Sequence, residues 1–330
     1  MNDAMLERLA TELREFPDNG GTAAELGGPI GLFDAVAFYR TLLGRSPSKD
    51  ELHYLEWKVT CTTRRDLLRE ILASPEYGRA VPLLPAGHTW MAKLEKFSLW
   101  FHTADVEMGA RMALGIYEPE VRLTVEEHVK EGMVAVDIGA QCGYYSLMLA
   151  TQVGPRGKVI ALEPRPASIE LVRRNVAQNG FSNVVQVLAT AASDSRGTLT
   201  MYETSGMYVA GNDAAASAVR VSVPCTSVDE IIQSGTVDFV KIDVEGHEPK
   251  VLSGMQQTLA NARPILLIEL NEYWLQHNSG TSSAAVLEWL ESAGYAMSRV
   301  DNGLAVRSSD FASQDLDNVE VLARPIGRPD

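Results

Sequence analysis

From Met133 onward, short apolar runs alternate with segments of helical periodicity, and this alternation restricts the fold more than any other property of the chain. The run "MVAVDIG" precedes the helical "YYSLMLATQV", and "KVIALEP" precedes "SIELVRRNVAQNG". After "VVQVLATAAS" come "DFVKIDV" with the helix "EPKVLSGMQQTLA", then "PILLIEL" with the helix "SAAVLEWLESAG". In the second helix Ile169, Val172 and Val176 share one face, and Gly180 stands just past the end, where a helix stop is favoured. Strands that are apolar along their whole length must be covered on both faces, so the repetition predicts a mostly parallel sheet with helices on either side. Residues 196–226 interrupt the pattern and read as short strands around a polar insertion.

The N-terminal part follows a different rule, with residues from about 4 to 80 reading as helical throughout. Leu32, Val36, Tyr39 and Leu43 recur at helical spacing and stop at Gly44, a C-terminal cap. Ser48 and Glu51 have the spacing of a capping box opening "KDELHYLEWKV". Thr63 precedes "RRDLLREILAS", whose Leu67, Leu68, Ile71 and Leu72 form one apolar stripe ending at Pro75. The prolines and glycine of "VPLLPAGH", residues 81–88, mark a linker. The expected organisation is a helical accessory module over 1–82 and an α/β domain over 89–330. Trp90, Phe97, Trp100 and Phe101 read as a lead-in helix packed on the core, with an acceptor lid as the alternative.

A net charge of −14 repels duplex nucleic acid and anionic membranes on average. The densest basic groups, Arg64, Arg65, Arg69, Arg173 and Arg174, fall on expected helices and read as solvated faces. Cys61, Cys142 and Cys225 lack any CxxC spacing, which argues against a disulfide framework or a zinc knuckle. The opening "MNDAMLERLATELREF" has no apolar signal core, and no run approaches the length of a membrane span. These features predict a cytoplasmic protein with neither a nucleic-acid partner nor an integral membrane segment, and leave a homo-oligomer open.

"VDIGAQCGYYS" places Asp137, Gly139 and Gly143 where the first strand hands over to a helix. Glycine is needed where the chain turns sharply and where backbone must lie against a ligand. The dinucleotide fingerprint is absent, because Gln141 and Tyr144 stand where further glycines would be required, and a nicotinamide-dependent dehydrogenase is disfavoured accordingly. What remains is D-x-G-x-x-x-G with Glu163 at the end of the next strand, the place of a ribose-binding acid. That combination suits a nucleoside carrying an amino acid, S-adenosylmethionine, whose ammonium would favour acidic surroundings near Asp137. The alternative is a tight strand-to-helix turn with no ligand.

The most unusual stretch is "VDFVKIDVEGHEPKVLSG", residues 237–254, where Lys241 and Asp243 interrupt an apolar strand. Asp243 closes the strand at the end where open α/β sheets bind ligands, and Glu245 and His247 follow in the loop. A neutral His247 is suited to act as general base near pH 7, with an adjacent acid to orient its ring. The alternative is structural: Lys241 pairs with an acid such as Glu269 in the core, and Glu248 favours the N-terminus of the next helix.

These residues resemble the FkbM family of S-adenosylmethionine-dependent methyltransferases. The resemblance rests on "YEPEV", "VDIGAQCGYYSLMLA", "GKVIALEPRPAS", "NVAQNGFSNV", "VDFVKIDVEGHEPKVLSG" and "RPILLIEL", in that order over roughly residues 90–300. It implies an α/β class I methyltransferase fold, Rossmann-like and doubly wound, preceded here by a small all-helical domain. It also implies methyl transfer to a hydroxyl of a sugar, glycan, glycolipid or related natural product. The expected cofactor contacts are Asp137, Gly139, Gln141, Gly143, Tyr144, Glu163 and Asp243, and the expected catalytic residues are Asp243, Glu245 and His247. Gln141 departs from the asparagine usual in the family's first turn. "LLGRSP" and "ASPEY" resemble a short helical module of unknown function found beside glycan-modifying proteins.

Asp243, Glu269 and Asn271 close adjacent expected strands with oxygen ligands, a pattern similar to magnesium-dependent O-methyltransferases, so Mg2+ is a candidate. Two further readings stand beside the O-methyltransferase: a small-molecule N-methyltransferase, and a non-catalytic cofactor-binding scaffold in glycan assembly.

Overall fold

The computed structural model describes residues 45–62, 89–94, 96–102, 106–113, 117–204, 207–210, 219–232, 235–311 and 318–327, with isolated positions between 32 and 71. The chain divides into two compact units, Met1–Pro119 and Glu120–Asp330.

In the first unit, α1 (Lys49–Lys58) opens with the expected capping box: the Glu51 N–H donates to the Ser48 hydroxyl, and the Ser48 N–H donates to the Glu51 carboxylate at 2.7 Å. The Arg45 guanidinium pairs with both Glu51 oxygens at 2.8 Å and holds that carboxyl down to about 2. Ala35, Leu55, Leu67 and Ile71 form a small buried cluster, as the apolar stripe predicts. Gly44, Thr63, Leu68, Leu72 and Pro75 lie outside the described residues, as does the expected linker. One expectation is corrected. The aromatic segment is not a lead-in helix but an antiparallel hairpin, β1 (Thr89–Lys93) and β2 (Ser98–His102), on which α2 (Val106–Ala113) packs. Phe97, Leu99 and Phe101 are buried at every second position, so the aromatics follow the strand period of two rather than the helical one.

The second unit begins with α3 (Pro119–His128) and builds the expected sheet: β3 (Val134–Ile138), α4 (Tyr144–Val153), β4 (Lys158–Leu162), α5 (Pro166–Gln178), β5 (Val185–Leu188) and, after an insertion, β10 (Phe239–Ile242). Then follow α7 (Glu248–Ser253), α8 (Gln256–Asn261), β11 (Ile265–Asn271), α9 (Ser283–Ser292), β12 (Tyr295–Arg299) and β13 (Asn318–Pro325). The seven strands lie in the order β12-β13-β11-β10-β3-β4-β5, parallel except for β13, which runs antiparallel to both its neighbours. This is the α/β class I methyltransferase architecture. The chain moves outward from β3 to β5 and then returns to lay β10 on the other side of β3. The crevice between the carboxyl ends of β3 and β10 is thus the switch point at which such sheets bind ligands.

The insertion forms a second sheet in the order β6-β9-β7-β8, from β6 (Ala191–Ala192), β7 (Gly197–Thr204), β8 (Met207–Ala210) and β9 (Val219–Thr226), with α6 (Val228–Ile232) leading back to β10. One face of the main sheet is wholly apolar: Val136, Ile138, Val240, Ile242, Leu266 and Ile268 pack against Val251, Leu252, Leu259, Val286, Leu287 and Leu290 of α7, α8 and α9. The opposite face carries the charges. Lys241 sits beside Asp137 on β3 and beside Leu267 on β11, so Asp137, Lys241, Asp243 and Glu269 project from one side of the pleat. The three cysteines are free thiols, and among the described residues no helix is long and apolar enough to cross a membrane.

Candidate functional site

Two tight turns meet at the switch point. In the first, the backbone after β3 passes through left-handed conformations at Gly139, Gln141 and Gly143, with φ of 90°, 51° and 89°. A Cβ at Gly139 would overlap the carbonyl oxygen of Asp243, so only glycine lets the β3 turn close onto β10. The Gly139 and Ala140 N–H groups both donate to the Leu162 carbonyl at 3.0 Å. Glu163 closes the turn: Oε2 accepts from the Gln141 N–H at 2.8 Å and Oε1 from the Arg165 N–H at 2.7 Å. Burial raises this carboxyl to about 7 despite both bonds. Because Gln141 is forced to a positive φ, where asparagine is the better-suited amide, the departure at this position carries a backbone cost.

Asp137 is 1% exposed, and its Oδ2 accepts from the Ser146 hydroxyl at 2.5 Å. Ser146, whose role the sequence alone does not signal, orients this acid from the third position of α4. Among the described residues nothing donates to Asp137 Oδ1, a buried acceptor that a ligand ammonium or hydroxyl would satisfy. Tyr144 and Tyr145, buried at the start of α4, meet edge to face with centroids 5.1 Å apart.

The second turn follows β10. The Lys241 ammonium, on a side chain 2% exposed, lies 2.7 Å from Asp243 Oδ2 and 4.5 Å from the centre of the Tyr145 ring. The structural alternative is therefore corrected in its partner: Lys241 pairs with Asp243, not Glu269. Asp243 and Glu269 share one face of the sheet with Lys241, whose ammonium reaches the acid two residues along its own strand. Asp243 stays below the usual carboxylate range because Lys241 and a hydrogen bond with Glu269 outweigh its burial. Glu269 carries the complementary shift: the Asp243 charge, burial and Glu320, its cross-strand neighbour on β13, push it up to about 10. Near pH 7 the pair holds one proton, on Glu269, whose Oε1 also accepts from Asn318 Nδ2 at 2.8 Å.

Beyond Asp243 the chain turns through Glu245 (φ 52°) and Gly246 (φ 90°). Glu248 folds back over this turn, and its Oε1 accepts from the Val244 N–H at 3.2 Å and the Gly246 N–H at 3.1 Å. The Glu248 carboxyl is buried, rises to about 7 for that reason, and thus caps the loop as well as opening α7. A Cβ at Gly246 would overlap the Trp274 carbonyl oxygen. Asn278 Nδ2 donates to the Glu245 carbonyl and Ser279 Oγ to the Gly246 carbonyl, each at 2.6 Å. Glu245 is raised to about 7 by burial and the nearby Asp243 charge.

The histidine of the block goes elsewhere. His247 is 9% exposed, and its Nε2 lies 3.1 Å from the Ser193 hydroxyl, just past β6. Burial lowers it to about 4, and the charges acting on it are Asp194 and Lys250 rather than the carboxylates at the switch point. The structure thus brings Asp137, Gly139, Gln141, Glu163, Asp243 and Glu245 together and ties His247 to the insertion.

The three residues expected for a divalent cation are already engaged. A cation, Lys241, sits on Asp243; Glu269 is held protonated; and Asn271 Oδ1 accepts from the Trp274 N–H at 3.2 Å. This donor set does not fit Mg2+. An adenosyl cofactor fits better, because each Glu163 oxygen retains a lone pair for a ribose hydroxyl and Asp137 Oδ1 awaits a donor.

Residues 137–297 match the family model of the methyltransferase FkbM domain. The chain carries a methyltransferase domain of the FkbM family. It is 29% identical over 150 residues to the hexuronic acid methyltransferase AglP of Haloferax volcanii, a match covering 44% of this chain and 59% of that protein. It is 27% identical over 156 residues to methyltransferase sdnD of Sordaria araneosa, covering 37% and 60% respectively. The chain thus spans about three-fifths of the length of these curated relatives. A solved FkbM methyltransferase from Methylobacillus flagellatus aligns with a TM-score of 0.39 at 17% identity, over 67% of this chain and 54% of that one.

Two outcomes follow for the FkbM domain. Lys241→Met leaves Asp243 and Asp137 without their cation, and chemical denaturation is expected to show a loss of about 3–5 kcal/mol. Glu248 binds its proton more tightly folded (about 7) than unfolded (4.5), so its contribution is full below pH 4.5 and lost as pH rises through 7. Stability measured from pH 5 to 8 should therefore fall less steeply in Glu248→Gln, whereas Glu248→Ala, which strands two buried N–H groups, should lose about 2 kcal/mol or more at every pH.

Proposed function

We propose that this FkbM domain is an S-adenosylmethionine-dependent O-methyltransferase acting on a hydroxyl of a sugar or glycan. The observation that carries the reading is the convergence at one crevice of a nucleoside cradle, built from the β3 turn and Glu163, with a second turn that presents Asp243 and Glu245. The name of AglP, a hexuronic acid methyltransferase, supports a sugar acceptor.

When bound, the cofactor supplies a sulfonium methyl with a good leaving group. What the protein has to provide is alignment of the acceptor oxygen and a destination for its proton. Glu163 takes the ribose hydroxyls and Asp137 the ammonium, while the left-handed turn lets backbone approach without a Cβ. Lys241 holds Asp243 rigid and ionised. Glu245, whose carboxyl titrates near neutrality, is the group best matched to accept the hydroxyl proton at physiological pH. His247 stays neutral and anchors the loop to Ser193, a positioning part rather than the proton acceptor. No step is assigned to a metal.

Calorimetry is expected to show S-adenosylmethionine binding, weakened about tenfold or more by Glu163→Ala, through loss of charge-assisted bonds; no binding at millimolar cofactor by the intact chain would remove the reading. With a sugar acceptor, kcat should rise with pH through about 7, the value set by Glu245, and Glu245→Gln should abolish that limb and lower turnover on the order of a hundredfold. Activity is expected to survive exhaustive treatment with EDTA.

A further inference from the structure

β11 ends at the ligand edge of the sheet and runs into "NEYWLQHNSG", residues 271–280. Asn271 caps a short turn, Glu272–Trp274, and the chain then widens into a π-helical turn, Leu275–Ser279, before Gly280 (φ 63°) ends it. Wide turns of this kind are uncommon and cluster at functional sites. Here the turn is bonded directly to the candidate catalytic loop, through Asn278 to the Glu245 carbonyl and Ser279 to the Gly246 carbonyl. It is also braced at its base: Glu272 accepts from Gln276 Nε2 at 2.7 Å and from the Ser283 N–H at 2.8 Å.

This braced turn presents an aromatic surface to solvent. Tyr273 is 56% exposed, and its ring stacks on His277 with centroids 3.9 Å apart and planes 28° from parallel. Trp274 meets the other edge of Tyr273 at 4.9 Å and 79°. His277 Nδ1 donates to the Tyr273 carbonyl at 2.7 Å, because a carbonyl can only accept; the Nε2 lone pair is therefore the one left for an outside donor. Leu123, Leu304 and Ile326 are similarly exposed in this unit, yet of the four only Tyr273 sits on a segment bonded to the Glu245 loop.

We propose that Tyr273 and His277 form the acceptor platform, on which a neutral pyranoside lays the C–H face of its ring against Tyr273 and a hydroxyl donates to His277 Nε2. A rigid, solvent-facing aromatic ring suits the apolar face of a pyranose, and a lone pair beside it suits the hydroxyls at the rim. Neutrality follows from the charges at the crevice. Among the described residues, the cations acting on its carboxylates are Lys241, 2% exposed and paired with Asp243, and Arg165 beside Glu163. Lys241 is committed to Asp243 and Arg165 acts on Glu163, whereas an acceptor carboxylate at the Glu245 loop would meet the charge of Asp243. The proposal rests on the sugar-methylation reading and names the acceptor class for that site.

The test uses the full chain with methyl β-glucoside and methyl β-glucuronoside at saturating S-adenosylmethionine, alongside ligand-observed NMR with S-adenosylhomocysteine present. Expected are kcat/KM for the glucoside at least tenfold above the glucuronoside, and an acceptor KM raised about tenfold in Tyr273→Ala. The cofactor Kd in Tyr273→Ala should match that of the parent, and Tyr273→Phe, which keeps the ring, should restore the acceptor KM. An unchanged KM in Tyr273→Ala overturns the platform while leaving sugar methylation intact, and a preference for the glucuronoside overturns the neutral acceptor. Cofactor binding with neither saturation transfer nor methylation of either glycoside overturns the platform together with the sugar reading.

Discussion

The ammonium group of Lys241 has left water for the interior of the sheet, and most of what surrounds it exists to make that tolerable. Asp243 supplies the counter-charge two residues along the same strand, Asp137 lies beside it on β3, and the Tyr145 ring covers it. A lone buried ammonium would cost several kcal/mol, and removing any one of these partners exposes that cost. The same contacts fix the β3 turn to the β10 turn. The cofactor side and the acceptor side of the crevice therefore share one electrostatic keystone.

Proton occupancy follows from it. Asp243 can remain ionised at the ligand edge because Lys241 faces it, and the acid next in line, Glu269, is then forced to keep its proton. Glu163 and Glu245 lack a comparable cation pair and titrate near 7. One buried cation thus separates a permanently charged carboxylate from one that stays protonated and from two that can exchange protons near neutrality.

Much of this was legible in the sequence, because strand and helix periods, capping boxes and glycine turns are local. The alternation from β3 to β13, the box at Ser48 and the turn through Gly139 all depend on residues within a few positions of one another. The less legible parts join distant segments. Lys241 was readable as a core charge but its partner was not, since two acids share its face of the sheet and only the folded geometry decides between them. Ser193 lies 54 positions before His247, and Asn278 and Ser279 each lie 33 positions beyond the carbonyl they bind. The hairpin β1–β2 was hidden because aromatic residues suit helices and strands alike and the run is too short for its period to show.

The overlap that a Cβ at Gly139 would make with the Asp243 carbonyl joins residues separated by the whole insertion. Strand register, not chain length, sets this approach, because β10 lies directly beside β3 although the β6–β9 sheet intervenes in the chain. The insertion is joined to the loop after β10 at its base, where Ser193 meets His247. Position 139 is closed to every side chain, because any Cβ there would push β10 away from the β3 turn.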